Sequence, residues 1–71
     1  MTLYLYSLRI DGVEYRVPGE LEIGWGFFMP GLAHKRMMQA VRKHYAALGY
    51  RLDWASRVES DLLGIRVWRV A

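Results

Sequence analysis

The sequence predicts a small α+β domain of the order β-β-(β)-α-β-β, in which one amphipathic helix packs on an antiparallel sheet of four or five strands. Three observations predict this class. Two turn signals each separate runs of alternating residues, one segment has the period of a helix, and 54% of the residues are hydrophobic. With 71 residues and no internal repeat or linker, the chain is expected to form a single domain over residues 1–71.

The first element is a predicted β-hairpin. Residues 2–10 are β-branched, aromatic and aliphatic, and they lack a helix cap. Asp11-Gly12 follows, and this dipeptide favours a type I′ turn because glycine tolerates the positive φ that the turn demands. The strict alternation of residues 13–17 then predicts three core-facing residues: Val13, Tyr15 and Val17.

The next segment is irregular and rich in glycine. Pro18-Gly19 ends the hairpin, and residues 20–26 are expected to form a loop or an extended stretch. The apolar residues 27–29 form either a third strand or a buried plug, and Pro30-Gly31 closes them.

One amphipathic helix is predicted from Leu32 or Ala33 to Leu48, with Gly49 as the residue that follows it. At about 100° per residue, one face is apolar and comprises Met37, Met38, Val41, Tyr45 and Leu48. The opposite face comprises Lys35, Arg36, Gln39, Arg42 and Lys43. No acidic residue of the helix neutralises this second face.

The last third of the chain predicts a second hairpin. Its first strand places Tyr50, Leu52, Trp54 and Val58 on one face, and Ser60-Asp61 form the turn. Its second strand alternates core residues with outward residues, and the expected core residues are Leu63, Ile65 and Val67. Trp68 then points away from the core, where it is either covered by another element or available to a partner.

Charge is unevenly distributed along the chain. The formal net charge is +3, yet residues 23–52 contain five basic residues and no acidic residue. Eight of the ten basic residues are arginine, which favours planar, bidentate contacts. This distribution indicates an anionic partner such as nucleic acid, although a solvated helix face is the alternative.

Catalytic and cofactor sites find little support, and no enzyme, cofactor or metal site is predicted. The chain has no cysteine, which excludes disulfides, thiolate zinc sites and a cysteine nucleophile. His34 and His44 are nearly three helical turns apart, about 15 Å, too far to share a metal ion. Gly24-Trp25-Gly26 matches neither phosphate-binding glycine motif.

Two surfaces are candidate binding sites. The first is the basic helix face, where Lys35, Arg36, Arg42 and Lys43 would hold phosphates and Gln39 could read a base edge. The second is the end of the last strand. There Arg66, Trp68 and Arg69 either stack on bases and contact the backbone, or form a cation–π pair that only packs.

Residues 25–70 resemble a group of small bacteriophage and prophage proteins. In that group a Ser-Phe-Phe-Val-Pro segment precedes a helix, and a Gly-x-Arg-Val-Trp-Arg strand ends the chain. The matching residues here are Phe27, Phe28, Pro30, Arg66, Trp68 and Arg69. Gly26 replaces the serine, and Met29 replaces the valine. The resemblance implies a phage-encoded protein of the host bacterial cytoplasm that acts by binding, and it supplies no catalytic residues.

Three functional hypotheses therefore stand. The leading one is a non-enzymatic protein that binds nucleic acid through the basic helix face. The second is an inhibitor directed at host machinery, such as an anti-CRISPR or other anti-defence protein, whose basic face occupies an acidic surface of a host protein. The third is a homo-oligomeric scaffold or homodimer, because ten aromatic residues exceed what one helix over one sheet covers. The sequence shows neither an export signal nor an apolar run long enough to span a membrane. A cytoplasmic location is therefore expected.

Overall fold

Five strands and one helix make up the computed structural model of the chain, which describes residues 5–71. Their order along the chain is β1 (Leu5–Ile10), β2 (Val13–Pro18), β3 (Gly26–Pro30), α1 (His34–Ala46), β4 (Leu52–Glu59) and β5 (Leu62–Arg69). The α+β class, the number of strands and the third strand at residues 27–29 are thereby confirmed. Residues 2–4 of the first predicted strand lie outside the described residues.

Both predicted hairpin turns are present, and Asp11-Gly12 has the positive φ values that its sequence predicts. Asp11 and Gly12 have φ values of 52° and 79°, and Ser60 and Asp61 have φ values of 51° and 63°. Two consecutive residues with positive φ are what a type I′ turn requires, because its twist matches that of the flanking strands. Gly49, at φ 74°, likewise takes the left-handed conformation expected just beyond a helix.

The five strands are divided between two antiparallel sheets, a division that the sequence did not reveal. β1 and β2 form a two-stranded sheet, and β3, β5 and β4 form a three-stranded sheet in that order. Two glycines allow β3 to approach β5. A Cβ on Gly26 would lie 2.1 Å from the carbonyl oxygen of Val67, and a Cβ on Gly64 would lie 2.1 Å from that of Met29.

One core joins the two sheets and the helix. Its buried residues are Ile10, Val17, Leu21, Met29, Met37, Met38, Val41, Tyr45, Ile65 and Val67. Hydrogen bonds connect the sheets and the helix at the margin of this core. The Tyr15 hydroxyl donates to the Pro30 carbonyl over 2.7 Å, and the Tyr45 hydroxyl donates to the Pro18 carbonyl.

Several predicted core positions are exposed instead. Val13, Val58 and Leu63 are 51%, 66% and 45% exposed. These residues lie next to the two hairpin turns, at the ends of β2, β4 and β5. Leu48 is 44% exposed because α1 ends at Ala46, two residues earlier than predicted. The helix also begins at His34 rather than at Leu32 or Ala33.

The helix is too short and too polar to cross a membrane, and residues 5–71 contain no other helix.

Candidate functional site

The outer face of α1 carries the first set of predicted site residues, and all five are exposed. They are Lys35, Arg36, Gln39, Arg42 and Lys43. The opposite face of the helix buries Met37, Met38, Val41 and Tyr45 in the core. The amphipathic period therefore fixes the direction in which the basic side chains point.

One of these cations is neutralised by a distant part of the chain. The Arg36 guanidinium lies 3.0 Å from the Asp11 carboxylate, which belongs to the turn between β1 and β2. No acid within the helix could make this contact, so helix periodicity could not predict it. Within residues 5–71, Lys35, Arg42 and Lys43 form no ion pair.

The beginning of the helix is also electrostatically unusual. Its first turn has no acidic residue, and Ala33 at the N-cap supplies no side-chain hydrogen bond. Lys35 and Arg36 follow directly, although the positive end of the helix dipole disfavours cations by about 0.3–1 kcal/mol each. The dipole and these cations together give the N-terminal end of the outer face a positive potential.

The structure adds Arg51 to the surface. Arg42 and Arg51 line the same open concavity of about 310 Å³ beside the helix, together with Ala46 and Tyr50. Arg51 is exposed and forms no ion pair with another described residue. Arg51 belongs to the acid-free segment of residues 23–52, but it lies beyond the helix, so helical spacing could not place it beside Arg42. We refer to Lys35, Gln39, Arg42, Lys43 and Arg51 as the basic face.

The second predicted site is constructed differently, because its arginines have intramolecular partners. Both Nε and Nη2 of Arg66 donate to the Glu59 carboxylate, the former over 2.9 Å. The hydrogen bonds from Arg66 lower the pKa of Glu59, and the charges of Arg66 and Arg57 lower it further. The same hydrogen bonds raise the pKa of Arg66.

Arg69 is held by backbone carbonyls and an aromatic ring. Its Nη1 donates to the Leu21 carbonyl over 2.7 Å, and its Nε donates to the Ala71 carbonyl over 3.2 Å. The guanidinium carbon lies 3.8 Å from the centre of the Tyr50 ring, within cation–π range. Arg69 thus joins the loop before β3 to the end of β5.

Trp68 and Arg66 lie on the face of the three-stranded sheet that is opposite to the helix. Ile65 and Val67, which alternate with them, are fully buried against the core. Trp68 is half-buried and is paired in register with Asp53 on β4 and Gly26 on β3. Arg66 and Trp68 are therefore separated from the basic face by the sheet, whereas Arg69 contacts Tyr50, which lines the concavity that contains Arg42 and Arg51.

A serine–histidine contact was not predicted. His34 Nδ1 lies 2.7 Å from the Ser56 hydroxyl, and His34 Nε2 lies 2.8 Å from the Gly31 carbonyl. Because a carbonyl only accepts, Nε2 carries a proton and donates to it. This geometry attaches the beginning of α1 to β4. Neither His34 nor Ser56 lines any of three concavities that the described residues form around the helix.

His44 is packed rather than available as a ligand. Its ring stacks on Tyr6 with the ring centres 4.0 Å apart, and its Nε2 is buried without a hydrogen-bond partner among residues 5–71. Burial lowers the pKa of His44. No group of three His, Asp or Glu side chains in the described part of the chain has the geometry of a metal site.

Some apolar surface remains exposed, as the composition predicted. The most exposed large apolar residues of the described chain are Leu32, Val58, Ile23 and Leu62, at 81%, 66%, 65% and 53%, and Trp25 is 51% exposed. Most of these exposed apolar residues are aliphatic. The aromatic residues therefore contribute less of the exposed apolar surface than the composition predicted.

Comparison of the chain with protein-family models, with curated proteins and with solved structures gave no match.

Proposed function

We propose that the protein is a non-enzymatic nucleic-acid-binding protein and that its contact surface is the basic face. One observation carries the proposal. Lys35, Arg42 and Lys43 are exposed on one face of α1, Arg51 lines a concavity together with Arg42, and none of the four forms an ion pair within residues 5–71. Cations that are left unpaired in the folded protein remain available to neutralise the phosphates of a partner.

The spacing of the basic face suits a polyanion. Lys35 and Lys43 are eight residues apart in one helix, which corresponds to about 12 Å along the axis. Consecutive phosphates of a nucleic-acid strand can therefore meet successive cations along the helix. Gln39 lies between the cations and has an amide that could pair with a base edge, which would add sequence preference to an electrostatic contact.

The resemblance of residues 25–70 to small phage proteins also favours a binding role in a bacterial cytoplasm. It is the weaker support, because the basic face includes none of the residues that match that group.

The test measures binding of fluorescently labelled DNA by anisotropy over a range of salt concentrations. Four phosphate contacts predict a slope of log K against log salt of about −3.6 for duplex DNA and about −2.8 for single strands. The double variant Lys35→Glu/Arg42→Glu is expected to lose binding at all salt concentrations at which the native protein binds.

The matched control is Arg57→Glu. Arg57 is exposed and forms no ion pair among the described residues, but it lies on β4. Its replacement makes the same change of charge as Arg42→Glu but outside the basic face, so binding should change little. Absence of binding at low salt would refute the proposal and would direct the search to an acidic surface of a host protein. If Arg57→Glu weakened binding as much as the single variant Arg42→Glu, only net charge would matter.

A further inference from the structure

A groove lies on the other side of α1, between the helix and β1. Its volume is about 650 Å³, which is within the range of small-ligand sites. β1 contributes Tyr6, Leu8 and Arg9 to its wall, and α1 contributes Ala40, Lys43 and Ala47. The groove is continuous with the basic face, because Lys43 belongs to both.

The groove combines a flat aromatic surface with two cations. Tyr6 is 46% exposed, and its ring is supported from one side by the stacked ring of His44. Arg9 and Lys43 are exposed on the two elements that form the groove, and neither forms an ion pair within residues 5–71. Ala40 and Ala47 have short side chains, which leave room for a planar ring beside the helix.

The support for Tyr6 extends through the molecule. His44 also contacts Tyr45 edge to face at 4.5 Å, and Tyr45 stacks with Tyr50 at 5.8 Å between ring centres. The Arg69 guanidinium lies on Tyr50. A ring that is fixed by such a series loses little conformational entropy when a ligand stacks on it.

We infer that this groove binds one unpaired base of a single-stranded nucleic acid, with the base stacked on Tyr6 and the flanking phosphates on Arg9 and Lys43. The inference rests on the proposed function and adds the class of nucleic acid to it. Base-paired DNA cannot fill the groove unless a nucleotide leaves the duplex, which costs a few kcal/mol. A purely apolar ligand would leave both cations unused.

The test separates the contribution of the base to binding from the contribution of the phosphates. Binding is measured for a single-stranded thymidine oligomer and for an oligomer of the same length whose central nucleotides are abasic. The same titrations are made with the native protein, Tyr6→Phe and Tyr6→Leu. Loss of one stacked base corresponds to roughly 1–3 kcal/mol, or about 5- to 150-fold in affinity.

We expect the Tyr6 ring to contribute to binding only when the oligomer carries a base that can stack on it. Tyr6→Leu weakens binding of the thymidine oligomer by about 5- to 150-fold and leaves binding of the abasic oligomer unchanged. Tyr6→Phe keeps the ring and binds like the native protein. Trp25→Leu removes another exposed aromatic ring outside the groove, and it should not distinguish the two oligomers.

A second variant tests the groove without removing Tyr6. Ala47→Leu keeps a good helix former but places a larger side chain in the groove, so it should also selectively weaken binding of the thymidine oligomer. Circular dichroism verifies that each variant is folded, and this second variant replaces Tyr6→Leu if the latter does not fold.

The outcomes distinguish this inference from the proposed function. If Lys35→Glu/Arg42→Glu abolishes binding while Tyr6→Leu affects both oligomers equally, the basic face binds nucleic acid and the groove does not bind a base. If duplex DNA binds as tightly as the thymidine oligomer and Tyr6→Leu weakens neither, the groove inference is likewise wrong. If no oligomer binds at low salt, both proposals fail together.

Discussion

The arginines at the end of β5 and those on the basic face have the same side chain but different roles. Arg66 and Arg69 are bound to a carboxylate, to backbone carbonyls and to an aromatic ring. Arg42 and Arg51 make no ion pair within residues 5–71 and line an open concavity. The arginines of β5 therefore contribute to stability, whereas those of the basic face are available for binding.

The cause of the difference lies in the neighbours that each element provides. A strand at the centre of a sheet has partners on both sides, and Glu59 on β4 is close enough to reach Arg66. The outer face of α1 has no acidic residue of its own, and within residues 5–71 an acid from another element reaches only Arg36, through Asp11. An arginine motif in a sequence thus indicates binding only where no acid or carbonyl can approach it.

The largest predicted effect tests how strongly the stability of the fold depends on the close approach of β3 to β5. Gly64→Ala would place a Cβ 2.1 Å from the Met29 carbonyl oxygen, so β3 would have to separate from β5. We expect a loss of about 3 kcal/mol or more in the free energy of unfolding, measured by urea denaturation. Gly49→Ala at the end of the helix is the control.

Gly49 also has positive φ, but a Cβ there would meet no atom within 4 Å. Its replacement should therefore cost only the backbone strain, about 1–2 kcal/mol. Equal losses for the two variants would mean that β3 and β5 do not depend on the close approach, and the contrast between the two regions would be weakened.

The next effect compares two arginines directly. Arg69→Met keeps an unbranched apolar chain but removes the hydrogen bonds to Leu21 and Ala71 and the contact with Tyr50. We expect a loss of about 1.5–3 kcal/mol in unfolding free energy, because the hydrogen bonds come from a charged donor. Arg42→Met should change stability by less than about 0.5 kcal/mol, as is usual for surface positions.

For nucleic-acid binding we expect the opposite order of effects, with a larger loss for Arg42→Met than for Arg69→Met. Arg42→Met removes a phosphate contact and reduces the salt slope by about 0.9 on duplex DNA, whereas folded Arg69→Met keeps the native slope. A stable Arg69→Met protein with impaired binding would show that the end of β5 belongs to the binding surface after all.

Local signals predicted most of the fold. Asp11-Gly12, Ser60-Asp61 and Gly49 each require a backbone conformation that few residues adopt, so the turns and the end of the helix could be located within a residue or two. The division into two sheets could not be predicted, because it depends on the pairing of β3 with β5 across more than half of the chain.

The candidate site could be predicted only in part, because local spacing identifies some of its residues and tertiary contacts determine the others. Helical spacing identified Lys35, Gln39, Arg42 and Lys43, all of which are exposed. The pairing of Arg36 with Asp11 and the approach of Arg51 to Arg42 are tertiary contacts, and no periodicity encodes them. Residues Arg66 and Arg69 satisfied the composition of a binding motif, but their partners come from β4 and from the loop before β3.

The smallest predicted effect concerns the ion pair of the β5 region and its dependence on pH. The pKa of Glu59 lies below its ordinary value of 4.5 because the carboxylate accepts hydrogen bonds from Arg66. A lowered carboxyl pKa means that the pair stabilises the fold above about pH 4.5 and that this contribution disappears as the pH falls through the folded-state pKa. Glu59→Gln cannot ionise, so it should be less stable than the native protein at about pH 7, and the difference should shrink as the pH is lowered to about 2. Urea denaturation at the two pH values measures the difference. A gap that persists in acid would assign the effect to packing of Glu59 rather than to its charge, and Arg66 would then be less firmly neutralised than its geometry implies.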